Sequence, residues 1–138
     1  MDELRVVGMG EDFAVGRYVL SKHLGIRLVE RHGATHSLNN TWVSVLSGPG
    51  PYARQLSLKL PSDFSSGRVP LFICPCGDTM CGALTVAIEA TPASTVIWAD
   101  FGWERPDARA VSRHDFHRRT GPFEFDAEQY RGVLAPYR

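Results

Sequence analysis

The sequence predicts an α+β fold: a single compact domain over residues 1–138, with a mixed or antiparallel sheet of about five or six strands and about three helices. Short runs of β-forming residues recur along the chain, and segments with helical spacing stand between them. Two runs, Ala83–Ala90 and Thr95–Phe101, flank a Thr-Pro-Ala-Ser turn that predicts an antiparallel hairpin. A chain of 138 residues, 43% of them hydrophobic, can also bury a core without disulfides or metals.

The first forty residues predict a strand, a helix and a second strand. Leu4–Val7 is a short apolar run that ends at a glycine, so we expect a strand there. Phe13–Leu24 follows an acidic pair and carries apolar residues with broadly helical spacing, which predicts a helix that Gly25 ends. Ile26–Val29 predicts the second strand, and the polar residues 31–40 predict a loop.

The rest of the chain alternates between strand and helix signals around the hairpin. Thr41–Leu46 is rich in β-forming residues and predicts a third strand, and a proline suits the first turn of a helix over 51–60. Val69–Ile73 predicts a buried strand. Phe123–Phe125 predicts a short extended segment, and the aspartate after it is placed to cap a final helix over Ala127–Leu134.

The charge balance and the apolar pattern exclude several kinds of partner. Fifteen basic and fifteen acidic residues cancel, which argues against general electrostatic binding to nucleic acid or to an anionic membrane. The N-terminal segment lacks the plan of a secretory signal, and no apolar run approaches the roughly 18 residues of a membrane span. We therefore expect a cytoplasmic protein with a small-molecule ligand and with no nucleic-acid or membrane partner. The sequence is compatible with a homodimer.

All three cysteines lie within eight residues, at Cys74, Cys76 and Cys81, on a turn rich in Pro, Gly and Asp. One interpretation is a metal site, because three thiolates supply three of the four ligands of tetrahedral zinc. His114 and His117 are the nearest candidates in the chain for the fourth ligand. The Cys-x-Cys spacing is tighter than the usual Cys-x2-Cys, which makes it harder for both thiolates to reach one ion.

A reactive thiol is the second interpretation of this turn. Cys76 or Cys81 would be the nucleophile, because backbone N–H groups of the turn are placed to lower a thiol pKa or to hold an oxyanion. The thiol would need a base, and the candidates are Asp78, Asp100, Glu104, His114 and His117. The third interpretation is structural, with the cysteines packed as small side chains on a tight turn.

The segment from residue 98 to 104 offers a second group of chemical side chains. An extended backbone would place Trp98, Asp100, Gly102 and Glu104 on one face, where two carboxylates beside an indole suit acid–base chemistry. The alternative is a strand that leaves the sheet with its acids solvated. The basic run 113–119 offers an anion contact or, more often, a solvated loop.

A dinucleotide fingerprint is only partly present near the N-terminus. Gly8 and Gly10 follow a predicted strand, and Glu30 lies where an acidic residue would bind a ribose hydroxyl. Phe13 stands where a third small residue belongs, so a bulky ring would obstruct close packing of helix on strand. We therefore expect no organic cofactor.

The segment from Gly67 to Glu104 resembles a family of small, uncharacterised actinobacterial proteins. The family shows a strand, a turn like Cys-Pro-x-Cys-Gly-Asp-x-x-Cys-Gly, a second strand, and a Trp-x-Asp-Phe-x-aromatic-Glu strand. Here the turn stands at Cys74–Gly82 and the last strand at Trp98–Glu104, and residues 121–130 are similar to the family's end. This chain has one residue fewer between its first two cysteines. The resemblance implies a shared fold, and such proteins often bear the automatic label oxidoreductase.

The sequence leads to two hypotheses about function. The first is a small-molecule enzyme without an organic cofactor, placed in bacterial specialised metabolism. In this enzyme Asp78, Asp100 or Glu104 would transfer protons, with Cys76 or Cys81 as the thiol participant. The second is a non-enzymatic binding or interaction module whose cysteine turn is structural or clamped by zinc.

Overall fold

Two β-sheets carry the fold in the computed structural model, which describes residues 1–29, 41–48, 50–106, 117 and 119–138. A three-stranded antiparallel sheet contains, in spatial order, β1 (Leu4–Val7), β2 (Asp12–Val15) and β3 (Tyr18–Val19). A six-stranded sheet contains, in spatial order, β4 (Arg27–Leu28), β5 (Thr41–Ser44), β6 (Val69–Ile73), β7 (Ala83–Ala90), β8 (Thr95–Glu104) and β9 (Phe123–Asp126). β4 and β5 are parallel, and the following pairs are antiparallel.

The α-helices of the described residues are α1 (Leu20–His23), α2 (Tyr52–Leu56) and α3 (Ala127–Leu134). Together with the mixed six-stranded sheet they confirm the predicted α+β class. The final helix has the predicted bounds, because the side chain of Asp126 accepts a hydrogen bond from Gln129 N at 3.0 Å and so caps its first turn. None of the described helices is long and apolar enough to cross a bilayer.

The helix predicted over Phe13–Leu24 is wrong over most of its length: only its last turn, α1 (Leu20–His23), is helical, and it ends before Gly25 as predicted. The chain forms β2 instead, in which every residue is buried, and it turns back at Gly16, whose φ of 56° is left-handed. As the central strand of the small sheet, β2 hides all its apolar side chains, so burial outweighs the helical spacing. The Asp12 carboxylate instead contacts α1: it accepts hydrogen bonds from Ser21 N, at 3.3 Å, and from Ser21 Oγ.

Two other predicted elements are shorter than expected. The strand predicted over Thr41–Leu46 ends at Ser44, because a 3-10 turn over Val45–Ser47 begins there and the Ser44 hydroxyl accepts a hydrogen bond from Leu46 N at 3.2 Å. The helix predicted over 51–60 ends at Leu56. The left-handed φ of 60° at Leu58 then breaks the helical path.

One hydrophobic core joins the two sheets and α3. The buried ring of Trp98 in β8 meets Phe13 of the small sheet edge-on, with ring centroids 5.8 Å apart, and Tyr130 of α3 at 5.9 Å. The Tyr130 hydroxyl accepts a hydrogen bond from Trp98 Nε1 at 2.9 Å and donates to Leu56 O at 2.5 Å. Burial raises the pKa of Tyr130, so this hydroxyl stays protonated and keeps both bonds.

A β-bulge in β8 sets the orientation of the strand that ends beside the cysteine turn. Ala99 pairs with Ala87 but Gly102 pairs with Thr85, so β8 carries one residue more than β7, and Asp100 has a left-handed φ of 55°. The predicted common face of residues 98–104 is therefore wrong. After the extra residue, the side chains of β8 alternate in the opposite sense, so Glu104 and Trp98 lie on opposite faces of the strand.

Candidate metal centre

β6 and β7 hold the two ends of the cysteine turn at one end of the large sheet. Cys74 directly follows β6, and its carbonyl accepts a hydrogen bond from Gly77 N at 2.9 Å, which closes a β-turn with Pro75 in the second position. Gly77 has a φ of 83° and Gly82 a φ of 101°, so glycine is needed at both bends. Cys81 ends a 3-10 turn directly before Gly82, after which β7 begins.

Asp78 ties the two halves of the turn together. Its Oδ1 accepts a hydrogen bond from Met80 N at 2.9 Å, and its carbonyl accepts one from Cys81 N at 3.2 Å. Its own N–H donates to Cys76 Sγ at 3.4 Å. The Asp78 side chain therefore orders the backbone that follows it, and the Asp78 backbone N–H supplies a donor to a thiol.

The three sulfur atoms converge. Cys76 Sγ lies 3.0 Å from Cys74 Sγ and 3.6 Å from Cys81 Sγ, and all three Sγ atoms lie within 4.8 Å of one another. Zinc–sulfur bonds of about 2.3 Å in a tetrahedral site place the sulfur atoms about 3.8 Å apart. The two separations from Cys76 Sγ are shorter than this value, so the one-residue Cys-x-Cys spacing does not keep the first two thiols apart. The three cysteines are close enough to hold one metal ion.

The three cysteines are free thiols, and two of them are open to solvent. Cys76 and Cys81 are exposed and Cys74 is half-buried. The hydrogen bond with Cys74 is the main cause that lowers the pKa of the Cys76 thiol, with help from the Asp78 N–H. The hydrogen bond with Cys76 raises the pKa of Cys81 to about 12. In the metal-free turn the Cys76 thiol therefore loses its proton more readily than the Cys81 thiol.

The carboxylate of Glu104 pairs with an arginine that sequence analysis did not single out. Its Oε1 accepts hydrogen bonds from Ser66 Oγ and Thr85 Oγ1, both at 2.8 Å, and lies 3.5 Å from Arg68 Nε. The two charged side chains are 9% and 1% exposed, for Arg68 and Glu104. Burial lowers the pKa of Arg68, while Glu104 and Asp100 oppose that effect.

Arg68 also explains how the bulge in β8 is tolerated. Its Nη2 donates to Thr85 O at 3.1 Å and to Asp100 O, and its Nε donates to Thr85 Oγ1 at 3.0 Å. The guanidinium thus binds carbonyl groups on both strands where the register shifts. A lone arginine in a polar connection carries no pattern that would mark it, so only the three-dimensional structure finds this role.

The predicted carboxylates have separate surroundings. Asp78 lies in the turn and caps Met80 N, Asp100 is exposed on the bulge, and Glu104 is buried beside Arg68. Glu104 pairs with Ala83 across the sheet, two residues after Cys81, so its backbone borders the turn while its side chain points to the Arg68 cluster. Their roles in proton transfer stay predictions.

His117, one of the two histidines predicted as a fourth ligand, does not join the cysteine group. His117 Nδ1 lies 2.5 Å from Thr120 Oγ1, and its ring centroid lies 5.8 Å from that of His23. Within the described ranges, the cluster of closely spaced ligand atoms consists of Cys74, Cys76 and Cys81. His114 falls outside the described residues, as do Glu30 of the partial nucleotide motif and most of the basic run.

A tryptophan pair lies at the end of the sheet that carries the turn. Trp42 precedes Val43, which pairs with Ile73 directly before Cys74, and Trp103 precedes Glu104, which pairs with Ala83 directly after the turn. The two indoles contact each other with ring centroids 4.6 Å apart, and both are half-buried. Aromatic side chains thus give this end of the sheet a rigid apolar surface.

Comparison of the chain with protein-family models, with curated proteins and with solved structures gives no match. The resemblance to the small actinobacterial proteins therefore stays a prediction.

Proposed function

We propose that this protein binds one thiophilic metal ion, with zinc as the ion and the thiolates of Cys74, Cys76 and Cys81 as ligands. The observation that carries the proposal is the convergence of three sulfur atoms within 4.8 Å of one another on one short turn. Thiolate sulfur is a preferred ligand of zinc, and soft sulfur ligands select against Mg²⁺ and Ca²⁺. The expected fit requires side-chain rotations at Cys76 and Cys81, which are exposed, and at Cys74, which is half-buried.

Among the residues that the structure describes, no fourth protein ligand joins the three cysteines, so the fourth coordination position in this proposal is taken by water or by a small-molecule ligand. Cys76 and Cys81 are exposed, so an ion bound there would face solvent. Sites with three protein ligands and one open position are typical of zinc that binds or activates a small molecule, whereas structural zinc has four protein ligands. The open position supports the expectation of a small-molecule partner.

The ion would serve binding rather than folding. The core is built from buried side chains of both sheets and α3, among them Phe13, Phe72 and Trp98. The cysteine turn lies outside this core, and its own backbone hydrogen bonds hold its shape. We therefore expect the metal-free protein to keep its fold, unlike small zinc domains that unfold without their ion.

The experiment is equilibrium dialysis of the reduced protein against zinc, followed by elemental analysis. The wild-type chain should bind one equivalent of zinc and release it to a chelator with its far-ultraviolet circular dichroism unchanged. Replacing one ligand, as in Cys76→Ser, should weaken binding by more than about 100-fold, the upper end of the loss that removal of second-shell partners causes.

Met80→Ser is the matched control, since Met80 lies in the same turn and is 47% exposed. This variant should bind zinc like the wild-type chain. Absence of stoichiometric zinc in the wild-type protein, or equal binding by Cys76→Ser, would contradict the proposal. If the protein loses its fold when zinc is chelated, the metal site stands, but the proposal that the ion serves ligand binding rather than folding is refuted.

A further inference from the structure

We propose that the cysteine turn also carries out reversible thiol–disulfide exchange with low-molecular-weight disulfides, in which Cys76 is the shared sulfur and either Cys74 or Cys81 closes the intramolecular bond. This activity goes beyond metal binding and does not depend on it, because it belongs to the metal-free, reduced turn. The observations that carry it are the order of the sulfur distances and the exposure of the thiols.

Cys76 is the central sulfur of the cluster. It lies 3.0 Å from Cys74 Sγ and 3.6 Å from Cys81 Sγ, and both contacts are hydrogen bonds. A disulfide bond is about 2.05 Å long, so rotation of side chains by roughly 1 to 1.6 Å at the sulfur would close either bond. The turn backbone need not unfold, because the cysteines are already brought together by the Gly77–Cys74 and Cys81–Asp78 hydrogen bonds.

Solvent can reach the sulfur that must react first. Cys76 is exposed, so an external disulfide has access to it, and Cys81 beside it is exposed as well. Low reactivity of buried structural cysteines comes from lack of access and from apolar surroundings, and neither applies to Cys76. A solvent-accessible thiol next to a second thiol is the arrangement in which a mixed disulfide is resolved rather than accumulated.

The exchange balances in two steps. The Cys76 thiolate attacks one sulfur of the external disulfide, whose S–S bond breaks, and one small thiolate leaves and takes up a proton. Cys74 or Cys81 then loses its thiol proton to solvent and attacks Cys76 Sγ, which expels the second small thiolate. Two protein thiols are oxidised to one disulfide, and one external disulfide is reduced to two thiols. An excess of a small dithiol reverses both steps.

The test incubates the metal-free, reduced, full-length protein with glutathione disulfide and follows it by intact mass and by peptide mapping. The wild-type chain should lose two hydrogens and keep no glutathione adduct, and mapping should find Cys74–Cys76 or Cys76–Cys81 bonds. A stable glutathione adduct with no intramolecular bond would overturn the proposal. So would a map dominated by the Cys74–Cys81 bond.

Three serine variants separate the roles of the sulfurs. Cys74→Ser should still form the Cys76–Cys81 bond, and Cys81→Ser should still form the Cys74–Cys76 bond. Cys76→Ser lacks the sulfur that both bonds share, so it should form neither. Rapid closure of a Cys74–Cys81 bond in Cys76→Ser would refute the shared role. Mapping of the wild-type chain answers the same question if a variant fails to fold. Zinc stoichiometry is measured separately, so failure of either proposal leaves the other standing.

Discussion

Replacing Arg68 with methionine should destabilise the fold strongly, because this arginine neutralises a buried carboxylate and binds the carbonyls of a β-bulge. Arg68→Met would leave Glu104, whose side chain is 1% exposed, with neutral donors only. Breaking a buried ion pair by removing one partner costs about 3–5 kcal/mol. The carbonyls of Thr85 and Asp100 would also lose a donor, which adds to the same loss.

We therefore expect a loss of about 4 kcal/mol in the free energy of unfolding, which for a chain of 138 residues lowers the Tm by roughly 12 °C. The assay is urea unfolding of the reduced, metal-free protein at neutral pH. Arg54→Met is the matched control, since Arg54 is exposed on α2 and its loss should cost less than about 0.5 kcal/mol.

A second substitution tests whether charge is the cause. Glu104→Gln in the Arg68→Met background removes the unpaired carboxylate, so it should recover about half of the lost stability. If Arg68→Met unfolds within about 1 kcal/mol of Arg54→Met, the structural role assigned to the Arg68–Glu104 pair is refuted. Glu104 would then be free for the proton-transfer role that the sequence predicts.

Two further predictions concern the thiols and the core. In the metal-free, reduced protein at neutral pH, iodoacetamide should alkylate Cys76 before Cys81, because the pKa of Cys76 is lowered and that of Cys81 is raised to about 12. Peptide mapping that finds Cys81 labelled first would contradict this order of pKa values. Tyr130→Phe should cost about 2–4 kcal/mol in urea unfolding, because the buried Trp98 N–H and a backbone carbonyl both lose their partner; a cost below about 0.5 kcal/mol would show that neither bond matters.

The elements predicted well from the sequence have signals that lie within the element itself. The apolar run of β6 is buried at every position, and a capping aspartate marks the start of α3. The helix predicted over 13–24 failed because its apolar residues fit helical spacing and also a strand that is buried on both sides. The choice between these is made by contacts with the rest of the chain, and Phe13 meets Phe72 and Trp98 far along the sequence.

The candidate site was predictable in its residues but not in its geometry. Clustering of the cysteines is visible in the sequence, whereas their convergence depends on a β-turn at Pro75 and a left-handed Gly77. Asp100 and Glu104 do not share a face as predicted, because β8 contains one extra residue at the bulge. The alternation of side chains in the sequence does not indicate where a bulge occurs. The Arg68 cluster is likewise a product of tertiary packing, since its partners lie on other strands.

X-ray absorption fine structure of the zinc-loaded protein tests the central claim most directly, because it counts the sulfur atoms around the ion. The account predicts three sulfur neighbours at about 2.3 Å and one lighter neighbour from water or a small ligand. Cys81→Ser, loaded at saturating zinc, should show two sulfur neighbours. A zinc ion surrounded only by oxygen and nitrogen, or one with fewer than three sulfur neighbours in the wild-type protein, would contradict a three-thiolate centre on this turn.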